Sequence, residues 1–239
     1  MPTEAPVDTI NAAIKYNPHL WGPDELRAIF VVRQSELAQI LGALRAHGAG
    51  DVPQHILIAG HRGMGKSTLL QRLALAITEE PDLNTNWLPL IFPEEQYTVR
   101  TLAEFWRNVL DALADALERQ GAAPSELAAL DAEVRRLGTL PAEEAESAAL
   151  TLVDQWIAEH QRGLVLLVDS SDLLLNALAQ GEGKPAAKTD TALWRLRKTL
   201  SHHAGLFWIG TSYQALESHH DYRDAFHDFF ALHELRPLT

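Results

Sequence analysis

Short runs of consecutive apolar residues alternate along the chain with longer segments in which apolar residues recur every three or four positions. The short runs are typical of buried strands in a parallel sheet. The helical period between them predicts amphipathic helices, most of which start at a polar cap residue or a proline. The predicted strands are residues 55–60, 87–92, 164–168, 206–209 and a last short strand around 232–235. The predicted helices start at Ser35, Thr101, Ser125, Pro141 and Thr191, and one more follows the glycine-rich residues 60–68.

This alternation predicts an α/β fold, a three-layer sandwich with a mostly parallel five-stranded sheet. The second strand contains Pro89, which has no N–H group, so we expect this strand at an edge of the sheet. Three predicted helices within residues 101–161 form a helical insertion after the second strand. Residues 1–29 contain four prolines and are expected to form an N-terminal arm or linker, with residues 30–239 as the core domain.

The composition narrows the chemistry that the chain can support. Its 239 residues include no cysteine, which excludes disulfides, thiolate zinc sites and cysteine nucleophiles. The formal net charge of -12 disfavours a protein that coats nucleic acid, so DNA could bind only at a local basic groove. No apolar run approaches the roughly 20 residues of a membrane helix. The first ten residues carry two acids and no base, unlike a signal peptide, and we expect a cytoplasmic protein without membrane contact.

Residues 60–67 match the phosphate-binding pattern G-x-x-x-x-G-K-[ST] at every fixed position, between a predicted strand and a predicted helix. The glycines leave room for backbone N–H groups to surround a phosphate. We expect Lys66 to reach the β- and γ-phosphates and Ser67 to bind Mg²⁺. The pattern predicts a P-loop NTPase core with ATP and Mg²⁺ as cofactors. The residues expected to contact the nucleotide are Gly60, His61, Arg62, Gly63, Met64, Gly65, Lys66, Ser67 and Thr68.

The strongest predicted strand ends at Asp169, where a P-loop protein needs an acid that holds Mg²⁺. The alternative is that Asp169 caps the helix that follows. The next residue is Ser170, whose hydroxyl cannot act as a general base at neutral pH without help. Asp172, Glu94 or Glu95 could orient the attacking water, although the first also suits a helix N-cap and the other two a solvated turn. Slow hydrolysis and binding without much hydrolysis both stay open.

Gly210, Thr211 and Ser212 end the next predicted strand. Ligands of open α/β sheets bind outside the carboxyl ends of the strands. We therefore expect the hydroxyl of Thr211 or Ser212 to reach the γ-phosphate or the attacking water. The alternative is an ordinary turn followed by a helix cap.

Together with an upstream box that begins at Phe30, these motifs resemble the AAA+ and STAND group of P-loop ATPases, especially its origin-recognition-like branch. That branch often carries an F-V-G-R-x-x-E-L box that packs near the adenine. The residues that match this box are Phe30, Val31, Arg33, Glu36 and Leu37. Val32 replaces the glycine of the box. The resemblance implies that Phe30, Val31 and Arg33 contact the nucleotide.

The resemblance also assigns roles at the ATP site. It implies that Asp169 is the Walker B acid and that Thr211 or Ser212 is sensor 1. It further implies that Arg223 is an arginine finger that reaches the γ-phosphate of a neighbouring subunit, so that copies associate through the ATP site. Ser170 stands where the family usually has a catalytic glutamate. The family's helical lid has no room after the last predicted strand, so we expect a piece of a larger protein or a core that works without this lid.

Three functions compete. The favoured one is an ATP-binding and ATP-hydrolysing switch or motor module of a larger protein or oligomer, with ATP, ADP and a further protein as partners. Ser170 favours the second, a binding module that holds ATP as a scaffold with negligible turnover. The third, a small-molecule kinase, is less favoured because residues 101–160 form acidic helices rather than an arginine-rich lid.

Overall fold

The computed structural model describes residues 21–47, 51–92, 96–181, 191–213 and 225–237, apart from the side chain of Tyr97. The strands are β1 (Ile56–Ala59), β2 (Trp87–Ile91), β3 (Gly163–Val168), β4 (Leu206–Ser212) and β5 (Ala231–Glu234). The helices are α1 (Pro23–Ile29), α2 (Gln34–Ala46), α3 (Lys66–Glu79), α4 (Pro81–Asn86), α5 (Leu102–Arg119), α6 (Pro124–Leu137), α7 (Ala142–His160), α8 (Ser171–Gly181) and α9 (Ala192–His202). None of the helices in these ranges is long and apolar enough to cross a membrane.

Within the described residues, five strands form one sheet in the order β2-β3-β4-β1-β5, and all neighbouring strands are parallel. Every residue of β1 and β4 is buried, because helices cover both faces of the sheet. The predicted five-stranded sheet is confirmed, and β2 with its Pro89 lies at an edge. Since β4 lies between β1 and β3, the carboxyl ends of these three strands meet at one edge of the sheet.

Side chains alternate across the sheet and build two cores, one on each face. Phe207 and Ile209 of β4 pack with α2 and α3 on one face. Trp208 packs with α5, α7, α8 and α9 on the other face. The predicted three-layer sandwich is therefore confirmed, and α3 and α8 reach the carboxyl edge from opposite faces.

The helical insertion after β2 consists of α5, α6 and α7. A capping box starts α5, in which Thr101 Oγ1 accepts from the Glu104 N–H at 3.2 Å and Glu104 Oε2 accepts from the Thr101 N–H at 3.1 Å. The insertion and this cap agree with the prediction. The start of α6 differs from it, because the cap is Ala123 and not Ser125. Pro124 takes the first helical position, where its fixed φ angle is favourable and its missing N–H costs nothing.

Two features near the N-terminus also differ from the predictions. The last residues of the predicted arm form α1, which begins at Pro23 and joins the core through a hydrogen bond of 2.9 Å from Arg27 Nε to Glu79 Oε1 of α3. The helix α2 already includes Ser35, the predicted cap, and the residue before the helix is Arg33 with φ of 66°. Short helices such as α1 carry too few apolar positions for a helical period to be recognised.

His55 lies directly before β1, at the amino end of the sheet, and is buried. Its Nδ1 accepts a hydrogen bond from the Trp208 N–H at 3.1 Å, and its Nε2 donates to the Leu200 carbonyl at 3.1 Å. Burial lowers the pKa of His55 from 6.5 to about 4. The ring is therefore neutral at pH 7 and joins β1, β4 and the end of α9.

Candidate nucleotide-binding site

The glycine-rich segment forms a tight loop between β1 and α3, which we call the phosphate loop (residues 60–65). Gly63 and Gly65 both have φ of 83°, in the left-handed region that side chains with a Cβ atom rarely adopt. The helix α3 begins directly after the loop, at Lys66. Its first backbone N–H groups have no partner within the helix, so the loop and the helix N-terminus together form a region suited to bind an anion.

Lys66 folds back over the phosphate loop. Its Nζ donates to the carbonyl oxygens of Gly60 at 2.6 Å and His61 at 3.1 Å. Burial lowers the pKa of Lys66, and the negative charges of Asp169 and Asp172 act in the opposite direction. The ammonium group therefore lies in the electrostatic field of both carboxylates, which links the loop to the start of α8. Phosphate oxygens would be stronger acceptors for it than the two neutral carbonyls.

Asp169 follows the last residue of β3, and its carboxylate belongs to a small hydrogen-bonded group that we call the Asp169 network (Asp169, Ser170 and Thr211). The Thr211 hydroxyl donates to Asp169 Oδ1. The Ser170 N–H donates to the same oxygen at 3.1 Å and to Thr211 Oγ1 at 2.9 Å. The network forms because Val168 of β3 pairs with Gly210 of β4, which places the two strand ends side by side.

Ser170 makes the turn from β3 into α8. Its φ of 51° lies in the left-handed region, which is uncommon for a residue with a Cβ atom. Its carbonyl accepts the Leu173 N–H at 3.0 Å, which starts the helix. Since α8 begins at Ser171, Asp172 lies inside the first turn and not at the cap position. Within the described part of the chain the Asp172 carboxylate makes no hydrogen bond, so it is available to a ligand.

Close packing of α8 against β4 determines where these acids lie. A Cβ atom on Gly210 would stand 2.1 Å from Ser171 Oγ and 2.6 Å from Trp208 Nε1, so a larger residue cannot fit without movement. Ser171 is buried, and its hydroxyl donates to the Val168 carbonyl at 3.0 Å. The start of α8 is thereby fixed to both β3 and β4.

Ser212 ends β4 beside the phosphate loop. It pairs with Ala59 of β1, and its carbonyl accepts the Gly60 N–H at 3.2 Å. Successive side chains of a strand point to opposite faces, so the Ser212 side chain lies on the other face from Thr211. Of the two hydroxyls predicted at this strand end, only that of Thr211 belongs to the Asp169 network.

Tyr213 is a residue of this site that the sequence analysis does not identify. Its ring packs edge to face against the ring of His61, with centroids 5.4 Å apart and planes at 76°. The side chain is half-exposed, so the pair lies at the surface of the phosphate loop. Its position directly after Ser212, at the carboxyl end of the strand beside the loop, is the signal that could have identified it.

The other loop residues lie around this centre. Arg62 is exposed and makes no hydrogen bond or ion pair within the described residues. Met64 and Leu235 crowd Gly60, where a Cβ atom would lie 3.1 Å from Met64 Sδ and 3.2 Å from Leu235 Cβ. Thr68 lies in the first turn of α3. The segment after β5 therefore touches the phosphate loop through Leu235.

The upstream box predicted to pack near the adenine, which we call the adenine box (residues 30–37), lies partly in the core and partly at the surface. Phe30 is buried in the same core as Leu235, whereas Val31 is 74% exposed. Phe30 therefore belongs to the same core as Leu235, the residue that crowds Gly60 of the phosphate loop. The exposed Val31 side chain is available to an adenine ring, whereas the buried Phe30 side chain anchors this segment to the core.

Arg33 connects the box to the end of the described chain. Its guanidinium group donates to Glu36 Oε1 at 2.9 Å and to the backbone carbonyl of Arg236. Arg236 cannot be predicted from the sequence, because only the folded chain brings these two segments together. The Arg33 side chain is thus engaged with protein atoms, which favours a structural contribution to the box.

Ser67 and Asp169 suit Mg²⁺ by the chemistry of their donor atoms. Both supply oxygen, and Mg²⁺ commonly takes one or two protein ligands while keeping water and phosphate oxygens. Asp169 Oδ1 accepts two hydrogen bonds, while Oδ2 accepts none within the described residues. No group of three or more His, Asp or Glu side chains in the described ranges could hold a metal alone. These residues therefore fit a metal that arrives with a phosphorylated ligand.

Three predicted residues, Glu94, Glu95 and Arg223, lie outside the described residues, and their roles stay predictions.

Comparisons with known proteins bear on the fold and the family of this chain. A search of curated protein sequences finds no significant match. Among solved structures, the Aeropyrum pernix ORC1 protein in complex with DNA matches with 18% identity and a TM-score of 0.50, over 91% of this chain and 48% of that chain. The Aeropyrum pernix ORC2 protein, in ADPNP-ADP complexes, matches with 16% identity and a TM-score of 0.49, over 85% of this chain and 48% of that chain.

The chain spans about half the length of these two structures. The likeness to the ORC1 structure, at 18% identity, concerns the fold alone. The decisive comparison is with a family model described as AAA ATPase domain, which matches residues 29–209. This range includes the adenine box, the phosphate loop, the helical insertion and Asp169. The resemblance to AAA ATPases predicted from the motifs is confirmed, and the chain belongs to the AAA ATPase domain family.

Proposed function

We propose that this chain binds ATP with Mg²⁺ at the carboxyl ends of β1, β3 and β4. Its contacts with a partner would then depend on which nucleotide is bound. The observation that carries the proposal is the convergence of the phosphate loop, Lys66 and the Asp169 network at one edge of the sheet. Lys66 and the N-terminus of α3 would balance the charge of the phosphates. Ser67 and Asp169 would hold Mg²⁺, which supplies further positive charge at the β- and γ-phosphates.

We propose that hydrolysis is slow, as suits a switch. The residue after Asp169 is Ser170, which has no carboxylate to orient or deprotonate water. We favour Asp172 as the substitute, because its carboxylate has no hydrogen-bonding partner in the described chain and acts electrostatically on Lys66. Asp172 would orient the attacking water from the first turn of α8.

The wider context of the site is also a proposal. Arg223 from a second copy would complete the charge around the γ-phosphate, so that association and nucleotide binding support each other. Residues 30–239 would form the core domain. A protein partner in the cytoplasm would bind this domain according to the nucleotide that it holds. The solved ORC1 structure contains DNA, but the net charge of -12 gives no support for DNA as a partner of this chain.

Equilibrium binding tests the proposal directly. Titration with a fluorescent ATP analogue and Mg²⁺ compares the wild-type chain with Lys66→Ala and with Lys198→Ala, a matched control at an exposed lysine of α9. We expect the first variant to lose affinity on the order of 100-fold, since a charge-assisted contact to phosphate is removed. The control should bind like wild type. A folded Lys66→Ala protein that retains tight binding would contradict the proposal.

A second candidate function is a scaffold that holds ATP without turnover, and Ser170 is the observation that favours it. Phosphate release by wild type, Asp169→Asn and Asp172→Asn separates the two functions. Several turnovers that disappear in both variants support the switch, whereas tight binding without turnover supports the scaffold. The assay has to cover a range of protein concentrations, because turnover that appears only at high concentration indicates that a second copy contributes to the site.

A further inference from the structure

The Thr211 hydroxyl is both a donor and an acceptor within the Asp169 network. It has one proton to donate and donates it to Asp169 Oδ1, while its oxygen accepts the Ser170 N–H at 2.9 Å. The residue has no exposed surface. A hydroxyl engaged in this way cannot donate to a γ-phosphate unless it releases the carboxylate.

The network leaves Asp169 with two unequal oxygens. Oδ1 accepts from Thr211 and from the Ser170 N–H, and Oδ2 has no hydrogen bond within the described residues. Fixing one oxygen of a carboxylate restricts its rotation and directs the other oxygen. A carboxylate held in this way is preorganised for a metal, because the entropy of orienting it has already been lost on folding.

Ser170 adds a second reason to regard the network as functional. Its left-handed backbone, with φ of 51°, is an unfavourable conformation for serine. In this conformation the Ser170 N–H donates to both Asp169 Oδ1 and Thr211 Oγ1. Backbone strain of this kind persists where the surrounding structure over-determines it, and it often occurs at functional sites.

We propose that Thr211 is the residue that positions the Asp169 carboxylate for Mg²⁺, and that it does not sense the γ-phosphate. This inference rests on the proposed binding of ATP with Mg²⁺. It differs from the sensor role implied by resemblance, because it predicts an effect on every Mg²⁺–nucleotide complex. Loss of a γ-phosphate sensor would affect the binding of nucleoside triphosphates alone.

The test measures nucleotide affinity with and without the metal. The dissociation constants of ADP and of a non-hydrolysable ATP analogue are measured in EDTA and in excess Mg²⁺. The ratio of the two constants gives the gain in affinity from Mg²⁺ for each nucleotide. The proteins are wild type, Asp169→Asn, Thr211→Val and Thr211→Ser, with circular dichroism to verify folding.

Thr211→Val keeps the shape of the side chain but removes the hydroxyl. We expect it to reduce the gain from Mg²⁺ roughly 10- to 100-fold, the usual effect of removing a group that orients a metal ligand. The reduction should be similar for ADP and the ATP analogue and should approach that of Asp169→Asn. Nucleotide affinities in EDTA should change less than about twofold, whereas a merely structural defect would lower them as well. Thr211→Ser restores the hydroxyl and should recover most of the gain.

Three results would overturn the inference. The first is a Thr211→Val protein that keeps the wild-type gain, and the second is a loss confined to the ATP analogue. The third is a loss of equal size in EDTA, which indicates a general structural role. Thr211→Ala serves as a second variant in case the valine does not fold, and failure of both to fold also favours a structural role and contradicts the inference.

The same data separate this inference from the proposed function. Wild-type protein that binds neither nucleotide would reject the proposed function itself. Wild-type binding with a gain from Mg²⁺ that Asp169→Asn abolishes, together with an unaffected Thr211→Val, would reject only the role of Thr211.

Discussion

The central strands β1 and β4 meet polar residues at both of their ends, but the two ends are built differently. At the amino end His55 is buried, and both of its ring nitrogens have partners inside the protein. At the carboxyl end, Asp169 Oδ2 and the Asp172 carboxylate have no hydrogen bond within the described chain. A polar group with all its partners inside the fold contributes to stability, whereas a partly exposed group with an unused acceptor oxygen is available to a ligand.

The largest effect is expected at the amino end of the sheet, where His55 is buried. The pKa of His55 is lowered to about 4 in the folded state, from about 6.5 in the unfolded chain. Between these values only the unfolded chain binds the proton, so stability is complete above pH 6.5 and is lost as the pH falls towards 4. A difference of this size corresponds to about 3 kcal/mol in the free energy of unfolding.

Urea unfolding of wild type and His55→Asn at several pH values between 4 and 7 measures this effect. The variant should be less stable than wild type at pH 7, and its pH dependence should be flatter by about 3 kcal/mol across the range. His202→Asn is the matched control at an exposed histidine and should follow wild type. A His55→Asn protein with the wild-type pH dependence would show that His55 is not the residue responsible.

The next effect concerns the packing that positions the acids at the carboxyl end. Gly210→Ala places a Cβ atom 2.1 Å from Ser171 Oγ, so α8 must move away from β4. We expect a loss of about 2 kcal/mol in the free energy of unfolding, within the usual range for overpacking. Weaker nucleotide binding should accompany it, because Asp172 lies in the first turn of α8 and Asp169 precedes this helix by two residues.

Gly42→Ala is the control for this variant. Gly42 lies inside α2, and a Cβ atom there would have no neighbour within 4 Å. Alanine is favoured over glycine in a helix, so this variant should be more stable by up to about 1 kcal/mol. Equal behaviour of the two alanine variants in chemical unfolding would argue against tight packing of α8 on β4.

The smallest effect is expected at the surface of the phosphate loop. Tyr213→Ala removes the edge-to-face contact with His61, and such pairs contribute about 1 kcal/mol. We expect nucleotide affinity to fall by less than about tenfold, with little change in stability because the ring is half-exposed. Tyr213→Phe keeps the ring and should bind like wild type. An affinity change that is the same in both variants would point to the hydroxyl and away from ring packing.

Much of this fold can be predicted from local patterns. The strands appear as uninterrupted apolar runs because both faces of the sheet are covered, and the edge position of β2 follows from Pro89. The phosphate loop is contiguous, so its glycines, Lys66 and Ser67 can be recognised without knowledge of the fold. The strand-end rule also brings Asp169 and Thr211 to the same edge before their contact is known.

Other features depend on tertiary contacts that no local pattern contains. The hydrogen bond between Thr211 and Asp169 depends on the register of β3 and β4, and the contact of Tyr213 with His61 depends on two separate segments. Caps at Ser35 and Ser125 are predicted wrongly because each helix begins earlier, after the left-handed Arg33 in α2 and at Pro124 in α6. Sequence patterns therefore predict which edge carries the site better than they predict how its side chains are held.

Hydrogen exchange measured with and without ATP and Mg²⁺ tests the central claim most directly, because it reads both ends of the sheet in one experiment. We expect slower exchange of backbone amides in residues 60–68 and 169–172 when the nucleotide is bound, since the loop N–H groups bind phosphate and the Asp169 network tightens. Amides around His55 and in residues 198–206 should exchange at unchanged rates. Protection at the amino end instead, or no protection at residues 60–68 under conditions where binding is saturated, would show that the nucleotide does not bind at the carboxyl end.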